Sequence, residues 1–340
     1  MGISSQKPTI SSFIVITSSD LLHIPFTSDL TEGGLAYALR SLAFLQERTG
    51  APLADRLRRT VANIAVELAF RRHLSQQNIS YDVRPSASFS EHERFDVFLD
   101  GRRCGVKSFF ISERNQAIQI RREPSILLDA PALVPADVHV TDGHAYKDLY
   151  VFAFATGLIA ASQADLQKVS AKKLPHRLVH VLPKTWRQPL NWNPLGTLTL
   201  KSASSDEVML EVHGQDSSRD MKRVTVNLPP KVKVTLDESF HSITALHIHH
   251  MPEAQIGIRS ETLLETHLIS PFDWHNLWIY GMDIFLTGFL PYEEFNQRAK
   301  VILPDAQVFQ YKHTKTKNFA VPVADLKPLS RLFAMPGKIK

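Results

Sequence analysis

With 340 residues, 44% of them apolar and 21% charged, this chain exceeds one average domain and is too hydrophobic for disorder, so two cores are expected. Its 39 Lys and Arg against 34 Asp and Glu leave a net charge of +5, a mild excess that favours an anionic partner. The longest apolar run, Leu149 to Ala161, falls short of the roughly 20 residues a membrane helix needs. The polar opening Met1 to Pro8 carries no secretion signal, and the lone Cys104 excludes an internal disulfide, so a cytoplasmic protein without a membrane span is expected.

Residues 1–50 read as a helical or extended N-terminal segment. A helix is predicted from Asp55 to Leu74, where Leu53, Leu57, Val61, Ile64 and Leu68 recur at helical spacing and define a core-facing stripe. Glu67 lies on the shoulder of that stripe, about 60° from Ile64 at roughly 100° per residue. There it can either turn toward an adjoining sheet or pair with Arg71 one turn on.

Next comes Phe95-Asp96-Val97-Phe98-Leu99-Asp100-Gly101-Arg102-Arg103-Cys104-Gly105-Val106-Lys107-Ser108, which reads as two strands around a tight Asp-Gly turn. Pairing across the turn brings Asp96 and Lys107 into one neighbourhood. A strand carboxylate beside a strand ammonium is what phosphodiester hydrolysis uses: the acid holds a divalent cation, and the lysine stabilises the attacking water or the developing phosphorane charge. Asp100 is explained by the turn itself, while Cys104 reads as a buried strand thiol. Glu91, Glu93 and Glu113 flank the hairpin as further carboxylates.

The hairpin and its upstream helix resemble the PD-(D/E)xK nuclease superfamily, the restriction-endonuclease-like fold, over residues 55–160. In that pattern an Asp precedes a hairpin that a Glu-x-Lys or Asp-x-Lys closes; here Gly105 stands where the second acid belongs. The resemblance implies Mg²⁺ or Mn²⁺ held by Asp96, with Glu67 supplying the missing carboxylate and the backbone carbonyl of Val106 a further ligand. Lys107 is then the residue that orients or activates water.

Downstream, Asp148 to Phe154 predicts a central buried strand, Ser162 to Lys172 a helix and Leu178 to Leu182 another strand. A Pro- and Trp-rich connector follows over 183–196. From Gly196 to Ser260 the pattern changes to short alternating strands (Thr197 to Lys201, Val208 to Val212, Arg223 to Val226, Lys231 to Thr235, Ile243 to His249, Gln255 to Arg259), which predicts an antiparallel β module. In the tail, Asp283 to Leu290 echoes Asp148 to Leu158, Tyr292 to Lys300 predicts a helix, and Val308 to Tyr311 and Phe319 to Val323 predict strands. Within the module, Leu246-His247-Ile248-His249 places His247 and His249 on one strand face, a spacing suited to an alternative metal site and similar to the His-hydrophobic-His motif of rolling-circle nucleases.

The expected architecture is α/β (α+β): a restriction-endonuclease-like mixed sheet flanked by helices over 51–182, then a β-rich second domain over 197–335. The expected function is a divalent-metal-dependent nuclease, acting on DNA more readily than RNA, as a homodimer or within a larger assembly. The alternative left open by Gly105 is a degenerate nuclease-like subunit that binds nucleic acid or scaffolds. Arg71, Arg72, Arg102, Arg103, Arg121 and Arg122 are the cations placed to grip phosphates. No P-loop, Rossmann glycine motif, Cys-x-x-Cys pair or Gly-x-Ser-x-Gly elbow occurs.

Overall fold

The computed structural model describes residues 16–42, 53–85, 95–141, 143–160, 162–172, 177–188, 194–263, 265–277 and 279–334. Within them the chain forms, in order, β1 (Leu22–Pro25), α1 (Ser28–Ser41), α2 (Leu53–Gln76), β2 (Asp82–Pro85), β3 (Phe95–Leu99), β4 (Arg102–Ile111), α3 (Arg114–Arg122), β5 (Pro131–Pro135), α4 (Ala136–Thr141), β6 (Leu149–Ile159) and α5 (Gln163–Ala171). It continues through β7 (Leu178–Val181), α6 (Lys184–Arg187), β8 (Gly196–Ser202), β9 (Val208–Gln215), β10 (Met221–Leu228), β11 (Lys233–Phe240), β12 (Ser242–Ile248), β13 (Ile256–Ser260), β14 (His267–Ile269) and β15 (His275–Asn276). The last elements are β16 (Ile279–Pro291), α7 (Tyr292–Arg298), β17 (Lys300–Ile302), β18 (Asn318–Pro322) and α8 (Leu329–Phe333).

A mixed sheet runs β1-β16-β6-β4-β3-β2, antiparallel throughout except for the parallel pair β4 and β6. Its order from α2 onward is helix, three-strand antiparallel meander, helix α3, then a strand parallel to the third. Alternation along β4 divides the sheet into two faces. Cys104 and Val106, with Val97, Leu99, Val151 and Ala153, pack under α1 and α2. Phe109 and Ile111, with Tyr150, Phe152 and Phe154, pack on the other face with Ile120 of α3 and Phe295 of α7. Because β6 is covered on both faces, its sequence is one apolar run without alternation.

The β module is a two-layer sandwich. Sheets β10-β9-β12-β7-β15 and β11-β8-β13-β14 close on a core of Leu198, Leu210, Val212, Leu246, Ile258 and Trp274. All six strands anticipated between Gly196 and Ser260 are present, displaced by a few residues at their ends. A third sheet, β17-β18-β5, covers one end of the mixed sheet's second core.

The linear division near residue 200 is crossed in both directions. β7, from the segment assigned to the first domain, pairs with β12 of the sandwich, and β16 returns to lie against β6 with Phe285 opposite Phe154. The echo between Asp148 to Leu158 and Asp283 to Leu290 is therefore that of two adjacent strands in the middle of one sheet. Both are buried on both faces, and equal burial selects equal composition. The tail helix forms as Tyr292–Arg298 and the last strand as Asn318–Pro322, whereas Val308 and Tyr311 share only an isolated bridge. Residues 189–193 of the connector lie outside the described residues.

Candidate functional site

The β3–β4 hairpin forms as its sequence predicts. Leu99 and Arg102 close a two-residue turn in which Asp100 (φ 50°) and Gly101 (φ 70°) both take the left-handed conformation that Asp-Gly tolerates. The ladder continues to Val97 opposite Cys104, and Asp96 is the next residue of β3, paired on its other side with Arg84 of β2. The Asp96 side chain lies outside the described positions. Alternation along β4 puts Gly105 and Lys107 on the face opposite Cys104 and Val106. Lys107 holds its Nζ 5.2 Å from the centre of the Tyr150 ring, a cation–π contact on that face.

What surrounds Gly105 is packed. A Cβ at this position would stand 3.1 Å from His144 Cε1, 3.3 Å from His144 Nε2 and 3.6 Å from the Tyr150 ring. The His144 side chain is fully buried, 4.8 Å edge-on to Tyr150 and 5.6 Å from the stacked Tyr292 ring between centroids. Asp148 anchors the loop that carries it: one carboxylate oxygen accepts from Arg103 N at 3.1 Å, the other from Ala145 N at 2.7 Å and lies 3.6 Å from His144 Nδ1. Neither His144 nor Asp148 stood out in the sequence, because nothing local signals that their loop folds onto β4.

Glu67 sits on α2 and Lys107 faces away from α2, so the sheet separates the two. Asn63, one turn before Glu67, accepts a hydrogen bond from Ser108 Oγ at 3.0 Å, which fixes the α2-facing side of β4 as that of Val106 and Ser108. Val106 lies inside the ladder opposite Val151, its side chain buried under α2. Glu113 caps α3, accepting from Gln116 N at 2.7 Å, and this bond lowers its carboxyl below the ordinary carboxylate value. Burial pushes the Cys104 thiol up to about 12, which leaves it an inert core group. Glu91 and Glu93 lie outside the described residues.

Of the six candidate phosphate contacts, Arg72 is held by Asp29 and by Thr27 Oγ1 (2.6 Å), and Arg121 by Asp283 at 2.5 Å. Arg102 is 3.8 Å from Asp100, and the backbone N–H of Arg103 donates to Asp148. Arg71 and Arg122 lie on α2 and α3, Arg122 exposed. A cleft of 550 Å³ opens at the far end of β4, lined by Arg59, Asn63, Ser108, Glu113, Tyr311 and Lys312.

A second constellation lies in the sandwich. The register of β9 on β12 sets Glu211 directly opposite His247, and His213 opposite Ala245. Glu211 Oε2 is 3.0 Å from His247 Nδ1 and 3.3 Å from His213 Nε2, and the His247 and His249 ring centres are 4.7 Å apart. One donor atom each from Glu211, His247 and His249 fall within 4.8 Å of one another, so this cluster could hold a metal ion. The hydrogen bonds from His213 and His247 hold the Glu211 carboxyl far below its usual range, while burial lowers His247 and, aided by the charge of His247, brings His249 to about 4. The sequence spacing singled out His247 and His249 but missed Glu211 and His213. Their same-face spacing in β9 was visible, but only strand register brings them to the histidines.

Compared with protein-family models, curated proteins and solved structures, the chain finds no match. Among the described residues no helix is long and apolar enough to cross a membrane.

Proposed function

We propose that this chain is a nucleic-acid-binding or scaffolding subunit built on a nuclease-type core whose hairpin no longer completes a hydrolytic metal site. One observation carries the reading: the place of the second acid is not merely a glycine but a glycine covered by a buried imidazole. The Cβ of an acidic residue at 105 would stand 3.1 Å from His144 Cε1, so His144, packed against Tyr150 and Tyr292, would have to give way. The donors needed for Mg²⁺ or Mn²⁺ do not fit together either. These ions take several oxygen ligands, yet Glu67 belongs to the helix on one face of the sheet and Lys107 to the other, and Asp148 spends both oxygens on backbone N–H groups. No chemical step is therefore routed through such an ion. Lys107 keeps a role as a fixed positive charge, and Arg59 and Lys312 in the cleft at the end of β4 add cationic contacts suited to a phosphate backbone.

A second reading, an active divalent-metal-dependent DNA endonuclease, is favoured by the order α2, β2, β3, β4, α3, β6, with its antiparallel meander and parallel fourth strand around Asp96 and Lys107. In this reading the missing carboxylate comes from a second copy of the chain or from another subunit. The deciding experiment is cleavage of labelled single- and double-stranded DNA and RNA in chelator, Mg²⁺ and Mn²⁺, with wild type, Asp96→Ala and Lys107→Ala, alongside binding by anisotropy. Binding without cutting, unchanged by metal, is expected. Metal-dependent cutting lost in both variants would replace this proposal with the active nuclease, and absence of binding at low salt would remove both.

A further inference from the structure

The Glu211 cluster has properties that the hydrogen bonds within it do not account for. Glu211 and His247 are almost enclosed, with side-chain exposures of 17% and 2%. His247 spends Nδ1 on Glu211, and its Nε2 is buried with no hydrogen-bond partner among the described residues. Buried polar nitrogens are nearly always satisfied, so this orphan marks the cluster as incomplete as it stands.

We propose that Glu211, His247 and His249 form a binding site for one divalent transition-metal ion of the Zn²⁺, Fe²⁺ or Co²⁺ class. Two imidazoles and one carboxylate are the nitrogen-rich donor set these ions prefer, whereas Mg²⁺ and Ca²⁺ take oxygen donors. The site is nearly assembled before the ion arrives. Tetrahedral donors about 2.0–2.1 Å from zinc lie roughly 3.3 Å apart, and the three atoms here are already within 4.8 Å of one another. His249, just beyond the end of β12 and half-exposed, gives the ion a route in and leaves a coordination position facing solvent. His213 Nε2 approaches the same carboxylate oxygen as His247, Glu211 Oε2, at 3.3 Å.

The location gives the ion a structural consequence. Glu211, His213 and His247 share their sheet face with Val179 and Ala245, which belong to the core beneath α1 and α2. Arg177 with Glu32, and Arg58 Nε donating to Asn276 O at 2.8 Å, tie the same layer to those helices. An ion bridging β9 to the end of β12 would stiffen the sheet where it meets the helical layer. This site shares no residue with the β3–β4 hairpin, so it stands or falls apart from the nucleic-acid proposal.

The test uses the full chain stripped of metal. Zn²⁺ binding is followed by calorimetry and Co²⁺ binding by its visible absorption, for wild type, Glu211→Gln, His249→Ala and Asp96→Ala, with folding checked by circular dichroism. Expected are one ion per chain in wild type and Asp96→Ala, affinity at least ~10-fold weaker in each cluster variant, and no displacement by millimolar Mg²⁺. His249, half-exposed and outside β12, is the substitution least able to disturb folding. Failure of wild type to bind either ion saturably, equal affinity in His249→Ala, or loss of binding in Asp96→Ala would each overturn the assignment.

Discussion

The β3–β4 hairpin and the β9–β12 pair each place chemistry-bearing side chains on neighbouring strands, and they differ in how those side chains come together. The hairpin has its key residues in one contiguous segment, Asp96 to Lys107, so the sequence displays it fully. Around it His144 packs against Gly105, where the second acid of the resembled pattern would stand, and Glu67 and Lys107 belong to opposite faces of the sheet. In the sandwich the sequence displays only His247 and His249, and register supplies Glu211 from a strand more than thirty residues away. A motif legible along the chain is thus not the better-assembled site, since ligands must converge in space.

The largest effect expected to test this contrast is ligand-linked stability. Zn²⁺ at a hundredfold excess over its Kd should stabilise wild type by about 2.7 kcal/mol, the gain should vanish in chelator, and Glu211→Gln should keep no more than about 1.4 kcal/mol of it in thermal melts. A stabilisation that persists in Glu211→Gln but disappears in Asp96→Ala would move the metal to the hairpin and reverse the comparison.

Next in size is Gly105→Glu. Restoring the acid at the hairpin should overpack the His144 pocket and cost about 1–3 kcal/mol in urea unfolding, without producing metal-dependent cleavage. If this variant is as stable as wild type and cuts DNA, the packing account of the hairpin is wrong.

The sandwich holds a second histidine pair that should respond to acid. His180 Nε2 and His267 Nε2 lie 2.9 Å apart, beside Trp274, with the Asp273 carbonyl accepting from or facing His180 Nδ1 at 3.1 Å. Burial lowers both imidazoles from the ordinary value of 6.5, and His275 on the neighbouring strand is lowered likewise. The unfolded chain then binds more protons than the folded one just below pH 6.5, so this contribution to stability is intact above that pH and is lost as pH falls beneath it. Urea midpoints between pH 8 and 5 should decline more steeply in wild type than in His267→Gln; parallel curves would show that the pair does not govern the slope.

The smallest effect concerns the cations. Lys107→Ala should weaken DNA binding about equally for all sequences and reduce the logarithmic salt slope by about 1. Arg72→Ala should leave that slope unchanged, because its guanidinium is engaged by Asp29 and Thr27. Anisotropy titrations at several salt concentrations separate the two, and equal slopes for all three proteins would remove Lys107 from the nucleic-acid surface.

Local physics made much of this protein legible from its residues alone. The stripe of Leu53, Leu57, Val61, Ile64 and Leu68 marked α2, though its buried face runs through Leu57, Val61, Ala65 and Ala69 and leaves Leu53, Ile64 and Leu68 half-buried; the Asp100-Gly101 pair marked the hairpin turn, the unbroken run after Asp148 a strand buried on both faces, and alternation the sandwich strands. Each of these follows from interactions within a few residues. Non-local contacts decided the rest. Pairing of β16 with β6 and of β7 with β12 interleaves the two halves of the chain. The approach of the 143–148 loop to Gly105 closes off the hairpin, and the one-residue precision of the β9–β12 register brings Glu211 to His247. A strand's side chains reverse face with every one-residue slip, and no spacing along a single strand records which partner residue will lie opposite.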